Sequence, residues 1–441
     1  MTGSGEISDK EAVRRLLERL GLGPRPGELQ RAIADGFDTT LAGLTSPAPG
    51  PDAGALATPP PQFGPPTPPL GRNTTIEQRR AQLRAQAVAA TQLGVWWLDR
   101  LAAVESPFTE RMTWFWHGHF ATSVRKVREA QLMYQQNDTF RRLGRGDFRI
   151  LAQAMLVDPA MLIWLDGGGN RVGKPNENLA REFMELFALG VGNYSETDVR
   201  QAARALTGWR VDYRADQASL VARAHDKGPE TVLGTTGALD ASTLVDVVLS
   251  QPASPKFLAR RVWTRFVSDS PPDPATLNRL VNAYGPGRDI TALLTEVARS
   301  PGFRAPASAM VKEPVLWLVT TLRALQLPAS KLPAQALQSA LLGMGQVPFA
   351  PPNVGGWPSG VPWLTTAAAL TRLRVAQTLA STGNIATVSA ASPSGRIDAT
   401  AALLGITSFT DRTAGALRPL INQPAQLVAL ALTSPEHTVS A

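Results

Sequence analysis

Apolar residues recur at helical spacing along most of the chain, and the pattern predicts a mostly α protein. Near the N-terminus Val13, Leu16, Leu17 and Leu20 follow one another behind Asp9, a residue suited to cap a helix. Gly21-Leu22-Gly23-Pro24 stops that helix, and a second begins at Pro26. Residues 78–104 read as one long helix whose second half carries Trp96, Trp97 and Leu98. Ser106-Pro107 opens the next, which runs through Phe120 with serine as cap and proline in the first turn. The helical period returns over 148–157, 176–189, 255–267, 290–299, 311–325, 365–379 and 423–432. Only Trp209 to Tyr213 and Ser219 to Arg223 alternate in the manner of strands, and they predict one small hairpin.

Proline and glycine divide this pattern into segments. Residues 1–46 form an N-terminal helical hairpin, and 47–75 a Pro/Gly-rich strap or linker of polyproline type. Residues 76–380 form the main helical domain. Residues 381–441 form a loose segment and a C-terminal helix packed on it. The expected fold is a multi-helical, bundle-like globular domain with one β-hairpin and a Pro-rich strap near the N-terminus.

Composition narrows the chemistry. With 44% apolar residues in 441, the chain can bury a large core. No apolar run reaches the roughly 18 residues that a membrane span needs, so none is expected. Cysteine is absent, which excludes disulfides, thiolate nucleophiles and sulfur-bound zinc. The net charge of +8 comes mainly from dispersed arginines. Clusters such as Arg125-Lys126-Val127-Arg128 and Arg141-Arg142-Leu143-Gly144-Arg145 are short, so no nucleic-acid partner is expected, and weak attraction to acidic partners remains open. The polar, acid-containing start places the sequence as it stands in the cytoplasm; export is the alternative if a signal lies outside it.

Four histidines are the whole stock of neutral-pH acid/base groups, so their placement matters. His117 and His119 fall in one helical turn, where residues two apart point about 200° from each other at roughly 3.6 residues per turn. They could share a metal only if the helix breaks at Gly118. Otherwise His119 continues the apolar stripe Phe108, Met112, Phe115 as a hydrogen-bonded core residue. Around the stripe Leu179, Phe183, Leu186, the polar residues Asn178, Arg181, Glu182 and Glu185 lie at spacings of three and four, which suits a metal or a solvated face alike. His225-Asp226 follows the presumed hairpin as a ligand or acid/base pair, or as a turn. Trp357 and Trp363, in a proline-rich loop, either stack a sugar or peptide or wedge into the core.

Together these segments resemble the bacterial domain-of-unknown-function 1800 family. The resemblance rests on residues 16–29 (LLERLGLGPRPGEL), 115–123 (FWHGHFATS), 176–192 (NENLAREFMELFALGVG) and 197–209. It continues through 225–234 (HDKGPETVLG), 311–314 (VKEP) and 345–357 (GQVPFAPPNVGGW), all in family order. It implies no particular activity. It does imply kinship with exported proteins and a possible partner from a neighbouring sulfatase-like family. Gly118 departs from the family pattern, which usually has asparagine there.

The residues suggest a site with His117, His119, His225 and Glu185 as ligands of zinc, manganese or iron. Glu182, Asp226, Arg181 and Asn178 would serve as its catalytic groups. Hydrolysis suits such a site better than oxidation. The rival reading is a non-catalytic assembly or binding protein, in which the same residues form a buried hydrogen-bonded network. A third, glycan-active reading rests on Trp357, Trp363 and the paired carboxylates.

Overall fold

The computed structural model describes residues 5–47, 50–64 and 74–440. Helices dominate, as the apolar period predicts. The helix Ile76–Ala103 opens with a capping box: the Gln78 N–H donates to Thr75 Oγ1 (3.2 Å), and the Thr75 N–H to Gln78 Oε1 (3.0 Å). The predicted hairpin is present, with Trp209–Asp212 antiparallel to Gln217–Leu220 and Trp209 opposite Leu220. Two further two-stranded ladders join Glu230–Val232 to Thr235–Gly237, and Met310–Val311 to Val439–Ser440. Pairing across some 130 residues is invisible to a local period, so the last ladder had no signal in the sequence.

Buried side chains form two large clusters, and several helices contribute to both. The histidine helix, Phe108–His119, sends Phe108, Met112, Phe115 and Trp116 into the first cluster and Trp114 into the second. It is buried nearly all round, so its interior position replaces the single apolar stripe of a surface helix. The first cluster includes residues of Phe148–Leu156, Glu196–Ala205, Ala253–Phe266 and Ile290–Arg299. The second gathers the long helix with Pro314–Ala324, Ala334–Met344, Thr366–Thr382 and Pro424–Ala431.

The N-terminal helix Asp9–Arg19 is tied to this body by its cations. Arg19, buried, donates to the carbonyls of Phe266 (3.3 Å), Val267 (3.0 Å), Ser308 and Ser440 (2.7 Å). Much of the strap expected over 47–75 includes residues outside the described ones, namely 48–49 and 65–73. Within its described part, Ala55 and Phe63 pack against the second cluster. Ala53–Leu56 is a helical turn, and Asp52 caps it (2.8 Å to the Ala55 N–H) while accepting the N–H groups of Glu105 and Ser106 (2.8 and 2.7 Å). Residues 381–395, expected to be loose, hold the short helix Ala386–Ala390 with Val388 buried.

Candidate functional site

The two histidines of one turn enter different aromatic cages. His117 has ring centroids of Trp97, Phe349 and Trp357 at 5.3, 5.1 and 5.3 Å, and its Nε2 accepts the Phe349 N–H at 3.0 Å. Burial pushes its pKa down to about 3, so it is neutral. His119 stacks on Phe115 and donates from Nε2 to the Phe187 carbonyl at 3.0 Å. Burial, and then the nearby Arg261 charge, holds it well below the ordinary histidine range. The helix does not break at Gly118, so the two rings stay on opposite faces.

His225 lies apart from both, half-buried, with Nδ1 3.0 Å from the Thr207 carbonyl. Gly208, at φ +94°, permits that approach: a Cβ there would stand 2.9 Å from the His225 Cβ. Asp226 is held by Arg204 (2.8 and 3.3 Å) and by the Gly228 N–H (3.0 Å), and the Arg204 hydrogen bond lowers its pKa. Among the described residues, no group of three or more His, Asp or Glu side chains converges in a way that could hold a metal ion. The predicted ligands His117, His119, His225 and Glu185 therefore sit in separate environments.

The expected helix over 176–189 is an α-helix only over Asn178–Glu182, after which Phe183–Ala188 winds as a π-helix. The Leu189 N–H donates to the Met184 carbonyl (2.9 Å), and the His119 ring takes the carbonyl of Phe187. Arg181 is engaged by Glu177 (3.1 Å) and Glu196 (2.7 Å), and Asn178 Nδ2 by the Leu165 carbonyl (3.2 Å). Glu185 accepts the Tyr194 hydroxyl at 2.6 Å. Glu182 is raised by partial burial and then by the charge of Glu185. Trp357 stacks on Trp114 (5.4 Å, 17°), and both Trp357 and Trp363 are buried, so neither offers a ring face to a sugar.

Several family-like segments meet in an interior polar network. Glu313 accepts Trp114 Nε1 (2.9 Å), Gln346 Nε2 (2.8 Å) and Arg265 Nη1 (3.2 Å). Arg265 also donates to the carbonyls of Trp357 (2.5 Å) and Pro358 (3.1 Å). On the neighbouring side buried Glu18 pairs with Lys312 (2.9 Å) and Arg14 (3.1 Å). Burial alone would raise Glu18, but Arg14 and Lys312 outweigh it and bring the carboxyl to about 2. Glu313, Gln346 and Arg265 were not among the sequence candidates. Their roles come from contacts between segments far apart in the chain.

An open concavity lies elsewhere. A groove of about 450 Å³ runs between the long helix and Ala334–Met344, floored by Leu98, Leu337 and Leu341 and edged by Leu83, Val95 and Leu342. Arg125, within the short turn Val124–Val127, and Arg128, at the end of that turn, stand exposed at the groove's rim. Among the described residues its lining contains no histidine, lysine, serine or carboxylate. The groove was not among the expectations from sequence; the signal that could have pointed to it is Gly94, an isolated glycine inside a strong helical pattern.

A family model described as "Protein of unknown function (DUF1800)" matches residues 15–439. No curated protein and no solved structure matches the chain.

Proposed function

The chain belongs to the DUF1800 family of proteins of unknown function, and from its geometry we propose that it is a non-catalytic binding protein whose ligand lies in the groove beside Arg125 and Arg128. The observation that carries this reading is a division of labour. The candidate acid/base and ligand residues are largely engaged in contacts that hold the fold, as with Arg181, Asp226, His117, His119 and Glu185. Among the described residues the groove's lining holds no histidine, lysine, serine or carboxylate, and its one hydroxyl, Thr91, has no base beside it in that lining. A mostly apolar cleft of roughly 300–1,000 Å³ with a few polar groups suits small-molecule recognition, and chemistry needs reactive side chains that this one lacks. Any catalytic step then belongs to a partner, such as the sulfatase-like protein that the resemblance implies.

Binding of the dye anilinonaphthalene sulfonate, an apolar anion, tests the reading. We expect one dye per chain and loss of binding in Gly94→Leu, which places a side chain in the groove. Unchanged dye binding in that variant would overturn the assignment of the groove. A second reading, acid/base chemistry at the half-buried edge of Glu182 and Glu185, is favoured by the raised Glu182 carboxyl. It requires Glu182→Gln to abolish a turnover that the native protein shows.

A further inference from the structure

Resting on the groove as a binding site, we infer that its occupant is a single-chain anionic amphiphile, a long-chain carboxylate with its tail in the trough and its head between Arg125 and Arg128. Length and lining are the first argument. The wall from Leu83 to Leu98 spans about 22 Å at a helical rise of roughly 1.5 Å per residue. Along it the side chains are mostly apolar, with Leu83, Val95 and Leu98 facing Leu337, Leu341 and Leu342. A hydrocarbon chain of that reach finds apolar contact along its whole length.

Gly94 is the second argument. It lies inside the long helix, where glycine costs roughly 1 kcal/mol relative to alanine. A Cβ built on it meets nothing within 4 Å. Among the described residues no close packing accounts for the glycine, and its bare backbone lines the groove wall. A ligand chain in contact with that backbone does account for it.

Charge at one end is the third. Arg125 and Arg128 stand at the rim, and neither is in an ion pair among the described residues, whereas adjacent Lys126 is held by Asp166 (2.7 Å). Glu129, beside them, is engaged by Gln86 Nε2 at 2.9 Å. Arg128 adopts φ +64°, a left-handed conformation that glycine would take without strain. The sequence nonetheless keeps a long cation there. Two guanidinium groups at the open end of an apolar trough match a carboxylate head by charge and by hydrogen-bond geometry.

The test uses calorimetry on the full chain with dodecanoate, dodecanol and dodecyl trimethylammonium, each below its micelle-forming concentration. Dodecanoate should bind one per chain, at least tenfold more tightly than the ammonium. Affinity should rise about fourfold per added methylene, the value of burying one such group. Arg125→Gln/Arg128→Gln should lose about tenfold for dodecanoate and leave dodecanol unchanged. Gly94→Leu should abolish binding of both, with its circular dichroism and melting curve reporting an intact fold. Dodecanoate that fails to bind, or binds equally well to Gly94→Leu, overturns the proposal. If the dye still binds and is lost in Gly94→Leu, the groove stands and only this ligand class falls. Cosedimentation with phosphatidylglycerol vesicles without binding of free dodecanoate would also overturn it, in favour of a membrane surface.

Discussion

The interior polar network and the groove are opposite uses of charge in one molecule. In the network, buried Glu18 pairs with Lys312 and with Arg14 of its own helix, and half-buried Glu313 pairs with Arg265 from a distant segment. At the groove, Arg125 and Arg128 stand in solvent above apolar walls without acidic partners among the described residues. Buried pairs contribute little net energy over apolar substitutes, yet removing one partner strands the other in a low-dielectric site. Exposed cations cost the fold nothing and are free for a ligand. On the proposed reading, the buried and mutually paired polar residues of the family-like segments serve the fold, and the open apolar surface serves the ligand.

That contrast can be broken by substitution. The largest effect is expected from Glu18→Gln, which leaves Lys312 buried without its carboxylate and Arg14 with only that of Glu11 (3.5 Å). Urea unfolding should show a loss of about 3–5 kcal/mol, with dye binding by the folded fraction unchanged. Weaker dye binding by that fraction would mean that the two regions are coupled.

Acid should act on the interior alone. The folded pKa of His117 is about 3, well below its unfolded value of about 6.5. Its contribution to stability is therefore complete above the unfolded value and is lost as pH falls through the interval toward 3. His119 and His437, also depressed by burial, act in the same direction. By about pH 5, His117 alone should remove about 2 kcal/mol from the unfolding free energy. His117→Gln, which keeps an acceptor for the Phe349 N–H, should flatten the pH profile by that amount. An unaltered profile would show that His117 is not the buried neutral base described above.

A groove variant should shift stability the other way. Gly94→Ala places a methyl group in open space on a helix, and should raise the unfolding free energy by roughly 0.5–1 kcal/mol while weakening the dye. A loss of stability would mean that Gly94 is packed in solution. The smallest effect is expected from Arg181→Ala. Its pairs with Glu177 and Glu196 are partly exposed, and such pairs are worth about 0–1 kcal/mol. A larger loss in urea unfolding would raise the Asn178–Glu185 face from surface to structural element.

Much of this architecture can be read from local pattern. The period of Val13, Leu16, Leu17 and Leu20 places the first helix, and the expected helix over 290–299 matches Ile290–Arg299. The hairpin at Trp209 follows from alternation and differs only in register, since its second strand begins at Gln217. The family segments were legible as well, and all of them lie within the match over 15–439. The π-turn at Phe183–Ala188 was not. Its sequence is that of a good α-helix, and the departure comes with a tertiary contact, the ring of His119 on the Phe187 carbonyl.

What the sequence determined by itself was helix, strand and kinship, because capping, periodicity and motif order act over a few residues at a time. Whether a histidine meets a metal or an aromatic cage was decided by the tertiary structure. The histidine helix lies between two cores, so residues about 200° apart on it must enter different ones. The tertiary structure likewise made Glu313 the centre of a network and Gly94 part of a groove wall. Both depend on which helices come to lie side by side, and that follows from packing the whole chain, beyond the reach of any local pattern.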